Sequence, residues 1–190
     1  WSVDLHKNTV DDQPTSCLAS PQEQRSRMRR LIMVGDNVRA EAELKILMAR
    51  SSGGTRFHVD NLQATFWAHQ GEVEKALQLL ATHYTSLRGD FNYLMQLGTI
   101  AARSAEFQLA VGAYYRAYQL RPGSRAAKRA LFQAAFMSYQ FQDYDGAGRK
   151  FEEFIKRYGE GGLGRDAKWQ LAWIRYLKGD YQGAYENLAQ

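Results

Sequence analysis

The sequence predicts an all-α fold in which helix–turn–helix hairpins repeat along the chain. The clearest hairpin is the last one, residues 165–190. Four apolar residues of its first helix stand three or four positions apart and so share one face: Ala167, Leu171, Ile174 and Leu177. Gly179-Asp180 interrupts this pattern, and a shorter apolar stripe follows: Tyr181, Ala184 and Leu188. The second helix must therefore fold back against the first across a short turn.

The second observation is that this hairpin recurs upstream. A turn, an aromatic or polar residue and then an alanine reappear at four earlier places. The five alanines are 36, 34, 37 and 37 residues apart: Ala40, Ala76, Ala110, Ala147 and Ala184. Two helices pack most closely where one side chain is small. A two-helix unit that repeats about every 34 residues predicts an α-solenoid. Its units are expected at about 21–54, 57–90, 91–124, 126–160 and 165–190.

The unit at residues 91–124 resembles the tetratricopeptide repeat. The positions that carry the resemblance are Leu97, Gly98, Ala110, Tyr114, Ala117 and Pro122. Two positions depart from the family pattern, since Leu94 stands where the family usually has Trp and Ala101 where it usually has Tyr. The resemblance implies a right-handed superhelical solenoid of about five repeats, in which the first helix of each repeat lines a concave surface.

The repeats are expected to begin after an irregular arm, because residues 1–20 show no sustained helical or strand periodicity. Ser20 is suited to cap a helix, Pro21 to occupy its first position and Glu23 to fold back onto the cap. The first helix is predicted to run to about Val34 and the second to about Arg50. A serine–glycine linker, residues 51–54, follows them.

The later units follow the same plan. The second unit pairs a helix over residues 57–70 with one from Val73 to about Leu87, and the fourth unit, 126–160, is the most aromatic. The glycine-rich segment 159–164 is predicted to be a long turn before the fifth unit, which is counted from Arg165. A phosphate-binding loop is disfavoured there, because no Lys-Ser or Lys-Thr follows and no strand precedes.

Composition agrees with a solenoid whose core lies between neighbouring units. Apolar residues make up 45% of the chain, and the net charge is +5. Lys and Arg are spread over all units, which favours solvated helix faces over a nucleic-acid or lipid site. No apolar run approaches the roughly 20 residues that a membrane-spanning helix needs.

The sequence contains no constellation that indicates catalysis, a metal site or a cofactor. The single cysteine, Cys17, excludes an internal disulfide and a CxxC-type metal site. His58 and His69 share a predicted helix, but they are eleven residues apart, too far for one metal. We therefore expect no catalytic residue within this chain.

A second resemblance covers residues 132–184 and is carried by three residues of one helix. Trp169, Trp173 and Tyr176 form a W-x-x-x-W-x-x-Y pattern, and Gly-Asp-Tyr follows at 179–181. This segment resembles the helical-repeat region of soluble lytic transglycosylases, the periplasmic enzymes that cleave peptidoglycan. Outer-membrane assembly lipoproteins and cell-division coordinators offer a competing resemblance. The transglycosylase resemblance implies a periplasmic or cell-envelope location, with a catalytic domain outside these residues, because the chain has no Glu-Ser pair to match the family's catalytic acid.

The same resemblance, with the start at Trp1 and the apolar stripe of the last helix, leads us to expect a processed or excised part of a longer protein. The tetratricopeptide resemblance places six aromatic residues on the concave surface: Phe132, Phe136, Tyr139, Trp169, Trp173 and Tyr176. The corresponding positions of the second unit are polar: His58, Asn61, Thr65 and His69. Packing between helices, docking of a protein or adjacent domain, and stacking on a peptidoglycan glycan all remain open for the aromatic face.

Two function hypotheses follow. The first is a non-catalytic scaffold that positions a catalytic domain, absent from these 190 residues, on peptidoglycan. The second is a free-standing adaptor that binds a protein or peptide in its concave groove. A protein or an adjacent catalytic domain is the expected partner, and nucleic acid is not expected.

Overall fold

The computed structural model describes residues 20–52 and 56–188, and within these ranges the protein is helical, without strands. The helices are α1 Pro21–Val34, α2 Asn37–Arg50, α3 Arg56–His69, α4 Val73–Ala81, α5 Tyr84–Leu87, α6 Phe91–Arg103, α7 Phe107–Leu120, α8 Arg125–Gln140, α9 Tyr144–Tyr158, α10 Gly162–Leu177 and α11 Tyr181–Leu188. They divide between His83 and Tyr84 into two compact units. The irregular arm predicted for residues 1–20 lies outside the described residues except for Ser20, as does part of the predicted 51–54 linker.

The first unit contains α1 to α4, whose helices pack as successive hairpins. The helix start at Ser20 is confirmed, because its hydroxyl accepts the Glu23 N–H at 3.3 Å while the Glu23 carboxylate accepts the Ser20 N–H at 2.8 Å. Apolar residues of α1, α2 and α3 form the core: Met28, Leu31, Ile32, Ala40, Leu44, Leu47, Val59, Leu62 and Phe66. A buried ion pair, Arg27 Nε to Glu43 Oε1 at 2.8 Å, joins α1 to α2.

The second helix of the second repeat is shorter than predicted. The expected helix from Val73 to about Leu87 ends at Ala81, and the single turn α5 follows. The Thr82 hydroxyl donates to the Leu79 carbonyl at 2.7 Å, and His83 Nε2 lies 2.9 Å from Oδ2 of the buried Asp60 on α3. Because that carboxylate holds His83, the chain leaves the helix there.

The second unit contains α5 to α11, and from α6 onward each helix packs against the next one along the chain. The alanine that marks each repeat is buried in both units. Ala40, Ala76, Ala110 and Ala147 are fully buried, and Ala184 is 7% exposed. The repeated alanine therefore marks a buried helix–helix contact in each of these hairpins.

The turn between α9 and α10 is shorter than the glycine content suggested. Helix α10 begins at Gly162, three residues before the predicted Arg165, and Gly161 precedes it with a φ of 81°. A Cβ on Gly164 would lie 2.2 Å from the carbonyl oxygen of Gly159. Glycine at 164 thus permits a close backbone contact inside the first turn of the helix.

The apolar stripes of the last hairpin are only partly buried. Ala167, Leu171 and Ile174 lie in the core as predicted, whereas Leu177 is exposed. On α11, Ala184 is buried, but Tyr181 and Leu188 are both exposed. In the described part of the chain, no helix is both long and apolar enough to cross a membrane.

Candidate functional site

The six aromatic residues predicted for the concave face lie on α8 and α10, the first helices of two successive repeats. They occupy equivalent positions 37 residues apart, so that Phe132, Phe136 and Tyr139 correspond to Trp169, Trp173 and Tyr176. On each helix the spacing of four and three residues places the rings along one face.

Phe132 points toward the interior of its own hairpin. Its ring makes edge contacts with Phe151 and Phe154 of α9, with both pairs of ring centroids 5.6 Å apart. Those two phenylalanines are fully buried, and Phe132 is partly buried. Phe132 therefore packs α8 against α9.

The rings of α10 form an exposed stack, here called the aromatic ladder and defined by Trp169, Trp173, Tyr176 and Tyr181. The two indoles lie 6.1 Å apart with an interplanar angle of 5°, and Trp173 and Tyr176 lie 5.5 Å apart at 15°. Tyr181 of α11 meets Tyr176 edge-on at 5.3 Å. The ladder residues are 53%, 38%, 52% and 65% exposed in that order, so they present a continuous aromatic surface.

A hydrogen bond connects the ladder to α8. The indole Nε1 of Trp173 donates to the Tyr139 hydroxyl at 3.2 Å. The Tyr139 ring also lies 6.1 Å from Phe136 and 6.0 Å from Tyr144. Five of the six predicted residues are thus joined by contacts, and Tyr181 and Tyr144 are neighbours that the sequence reasoning missed.

Charged side chains at the end of α10 that are not part of the ladder contact the neighbouring helices. Arg175 donates to Glu152 of α9 at 3.3 Å and to the Gly183 carbonyl of α11 at 3.3 Å. Lys178 pairs with Asp145 of α9, and this hydrogen bond together with the lysine charge lowers the pKa of the Asp145 carboxyl. These contacts connect α10 to both neighbouring helices and so stabilise the position of the helix that carries the ladder.

The polar positions predicted for the second repeat all lie on α3, in the first unit: His58, Asn61, Thr65 and His69. The Thr65 hydroxyl donates to the Asn61 carbonyl of its own helix at 2.8 Å. Within residues 20–52 and 56–188, no three His, Cys, Asp or Glu side chains cluster in a way that could hold a metal ion. Cys17 falls outside the described residues.

The repeated two-helix hairpins define a tetratricopeptide-like helical-repeat fold. The putative kinesin light chain with nearly identical tetratricopeptide-like repeats from Podosopora anserina is similar in structure, with a TM-score of 0.71, 18% identity and coverage of 88% of this chain and 91% of that one. BtubC from P. vanneervenii gives a TM-score of 0.70 at 17% identity, covering 88% and 77%.

The MamA protein gives a TM-score of 0.67 at 16% identity, covering 88% and 90% of the two chains. No protein-family model matches the sequence, and no curated protein matches it with significance. The all-α, tetratricopeptide-like solenoid fold predicted from the repeat spacing is confirmed by these neighbours. At identities this low, the likeness establishes the fold alone.

Proposed function

We propose that this protein is a non-catalytic binding scaffold that holds a polypeptide segment of a partner protein against the aromatic ladder. The observation that carries the proposal is the exposed stack of Trp169, Trp173 and Tyr176 on α10. Tryptophan and tyrosine are the residues most often found at the energetic centre of protein interfaces, because they bury a large area and lose little side-chain entropy.

The geometry of the ladder supports binding because its rings are already ordered. Trp173 is fixed on one side by its hydrogen bond to Tyr139 and on the others by the rings of Trp169 and Tyr176. A partner therefore meets a preorganised surface, and less entropy is lost on association. The exposed surface of these near-parallel rings is suited to contact apolar side chains of an extended or helical segment.

A second candidate is the scaffold of a lytic transglycosylase-like envelope protein, in which the ladder would contact peptidoglycan or an adjacent catalytic domain. The specific observation in its favour is that both tryptophans of the W-x-x-x-W-x-x-Y helix are exposed, as stacking on sugar rings requires. Its periplasmic or cell-envelope location rests on the sequence resemblance, and none of the structural neighbours above is described as a peptidoglycan enzyme.

The test compares the wild-type protein with Trp169→Ala/Trp173→Ala and with Tyr185→Ala as the matched control. Tyr185 is 70% exposed on α11 and is not a member of the ladder. Each protein is used as bait in a quantitative crosslinking pull-down from the source cells, and each is also sedimented with purified peptidoglycan.

Loss of the same protein partner in the double variant, with retention in Tyr185→Ala, supports the polypeptide-binding proposal. Sedimentation with peptidoglycan that is lost only in the double variant would instead support the second candidate. Equal protein capture by all three proteins would contradict a role for the ladder.

A further inference from the structure

A second feature of the α5 to α11 unit is a cavity of about 840 Å³ that shares no residue with the aromatic ladder. Four cationic side chains line it: Arg88, Arg116, Arg149 and Lys150. They come from the segment after α5, from α7 and from the first half of α9. Gly112 and Gly146 also line the cavity; nothing lies within 4 Å of the Cβ position of Gly112, whereas a Cβ on Gly146 would meet the Asp143 carboxylate that caps α9.

Among the described residues that line this cavity, the one carboxylate is already engaged by hydroxyl groups. Glu153 accepts hydrogen bonds from the Tyr118 hydroxyl at 2.6 Å and from the Tyr115 hydroxyl at 3.1 Å. Arg157 in turn donates to the Tyr118 hydroxyl at 3.0 Å. The lining therefore carries four cations against one carboxylate, and Lys150 is the cation on which that carboxylate and Asp143 act electrostatically.

The three arginines of the lining form no ion pair with any residue in the described ranges, although Arg149 contributes electrostatically to the Asp145 carboxyl. Lys150 is held in place by a neutral partner, since its Nζ donates to the Gly146 carbonyl at 3.2 Å and lies 5.9 Å above the Tyr115 ring. Its partial burial lowers the pKa of the ammonium group. An anion bound in the cavity would compensate the Lys150 ammonium group for the water that it loses on burial. The guanidinium groups of the lining would donate hydrogen bonds to the same anion.

We propose that this basic cavity binds an acidic segment of a partner polypeptide, with Arg88, Arg116 and Arg149 receiving its Asp or Glu carboxylates. The planar guanidinium fork matches the two oxygens of a carboxylate. Tyr115 of the lining already donates its one hydroxyl proton to Glu153, so the guanidinium groups supply the donors for a bound carboxylate. A polypeptide fits better than a nucleic acid, because the charge is confined to one cavity rather than drawn out as a basic stripe along the chain.

The experiment measures fluorescence anisotropy of a labelled hexaglutamate peptide titrated with the 190-residue chain, alongside a hexaglutamine peptide of the same length. The test variant is Arg116→Gln/Arg149→Gln. The matched control is Lys156→Gln/Arg165→Gln, which removes the same charge from two residues that are exposed, as Arg116 and Arg149 are, but lie outside the cavity. Circular dichroism establishes that each variant remains folded.

We expect the hexaglutamate peptide to bind at low salt and the hexaglutamine peptide not to bind. The Kd should rise by about tenfold or more in the cavity variant, because two charge-assisted contacts are lost, and should change by less than about twofold in the control, whose charges lie outside the cavity. Trp169→Ala/Trp173→Ala should leave this Kd unchanged, which separates the cavity from the proposed ladder function.

The proposal would be overturned by no binding of hexaglutamate by the wild-type protein, by equal weakening in the cavity and control variants, or by displacement of the peptide by a single-stranded oligonucleotide at lower concentration than by unlabelled hexaglutamate. Displacement by inorganic tripolyphosphate at lower concentration than by unlabelled peptide would reassign the cavity to phosphate and overturn the carboxylate assignment.

Discussion

The fourth and fifth repeats carry aromatic rings at equivalent positions and use them differently. In the fourth repeat, Phe132 packs against the fully buried Phe151 and Phe154 of α9. In the fifth repeat, the equivalent residue Trp169 is 53% exposed and stacks along its own helix on Trp173. The same periodicity thus produces a core in one hairpin and a surface in the next.

The second helices of the two hairpins differ in the side chains that meet these rings. Phe151 and Phe154 of α9 contact Phe132, whereas Tyr181 of α11 meets Tyr176 edge-on. Leu188, which corresponds to Phe151 of α9, lies at the end of α11 and is 62% exposed. Ring position on a first helix therefore does not determine burial, because the side chains of the second helix also decide what is covered.

The largest expected effect contrasts these two equivalent positions. Phe151→Ala should lower the free energy of unfolding by about 3–5 kcal/mol, because it leaves a cavity among fully buried rings. Leu188→Ala should cost less than about 0.5 kcal/mol, because the side chain is exposed. Urea unfolding followed by circular dichroism measures both changes. Similar costs at the two positions would show that α11 covers α10 as α9 covers α8.

The turn between the two repeats offers the next contrast. Gly164→Ala should destabilise the protein by about 1–3 kcal/mol, because overpacking forces the backbone apart where the new Cβ meets the Gly159 carbonyl oxygen. Gly162→Ala is the control, since no atom lies within 4 Å of its Cβ position. Thermal unfolding of both variants tests this expectation, and an unchanged melting temperature in Gly164→Ala would mean that the first turn of α10 can shift without cost.

A smaller effect is expected from the hydrogen bond that links the fourth repeat to the ladder. In a double-mutant cycle of Trp173→Phe and Tyr139→Phe, the coupling energy should be about 0.5–1 kcal/mol, the net value of a partly exposed neutral hydrogen bond. Urea unfolding of the two single variants and the double variant supplies the cycle. Additive effects would show that the bond contributes nothing to the placement of the ladder.

The smallest expected effect appears only in alkaline solution. It concerns the hydroxyl of Tyr118 on α7, which hydrogen-bonds Glu153 of α9. Burial, reinforced by the hydrogen bond to Glu153, raises the pKa of Tyr118 to about 12, from 10.0. Between pH 10 and about 12 the unfolded chain loses this proton while the folded chain keeps it. The free energy of unfolding should therefore fall as the pH rises through this range.

Tyr118→Phe should make this alkaline decline less steep, which denaturant titrations at a series of alkaline pH values measure. The slope of the variant is compared with that of Tyr185→Phe, whose side chain is exposed. Identical slopes in the two variants would remove Tyr118 as the source of the decline.

Much of the fold was predictable because each repeat carries a local signal. The five alanines lie where helices touch, and the capping box at Ser20 is complete within four residues. The end of α4 was not predictable, because His83 is held by Asp60, which lies 23 residues earlier in the chain. The start of α10 at Gly162 was missed because glycine is a poor helix former, and its packing on the Gly159 carbonyl exists only in three dimensions.

The candidate surface was predictable in membership but not in burial. Helical spacing placed Trp169, Trp173 and Tyr176 on one face, and the structure stacks them there. The helical spacing of α8 could not show that Phe132 turns toward α9, because the rings that Phe132 contacts, Phe151 and Phe154, lie in the next helix. The basic cavity was invisible for the same reason, since its cations are separated by up to about sixty positions in the sequence.

The single turn α5 has a consequence for protease susceptibility. None of its four residues is buried, and the exposed Arg88 follows directly, so opening this segment breaks few contacts. Trypsin should therefore cut after Arg88 before it reaches the many arginines held within longer helices. Since Arg88 also lines the basic cavity, an acidic peptide seated there would slow that cut, and the rate of cleavage after Arg88 would report occupancy without any label.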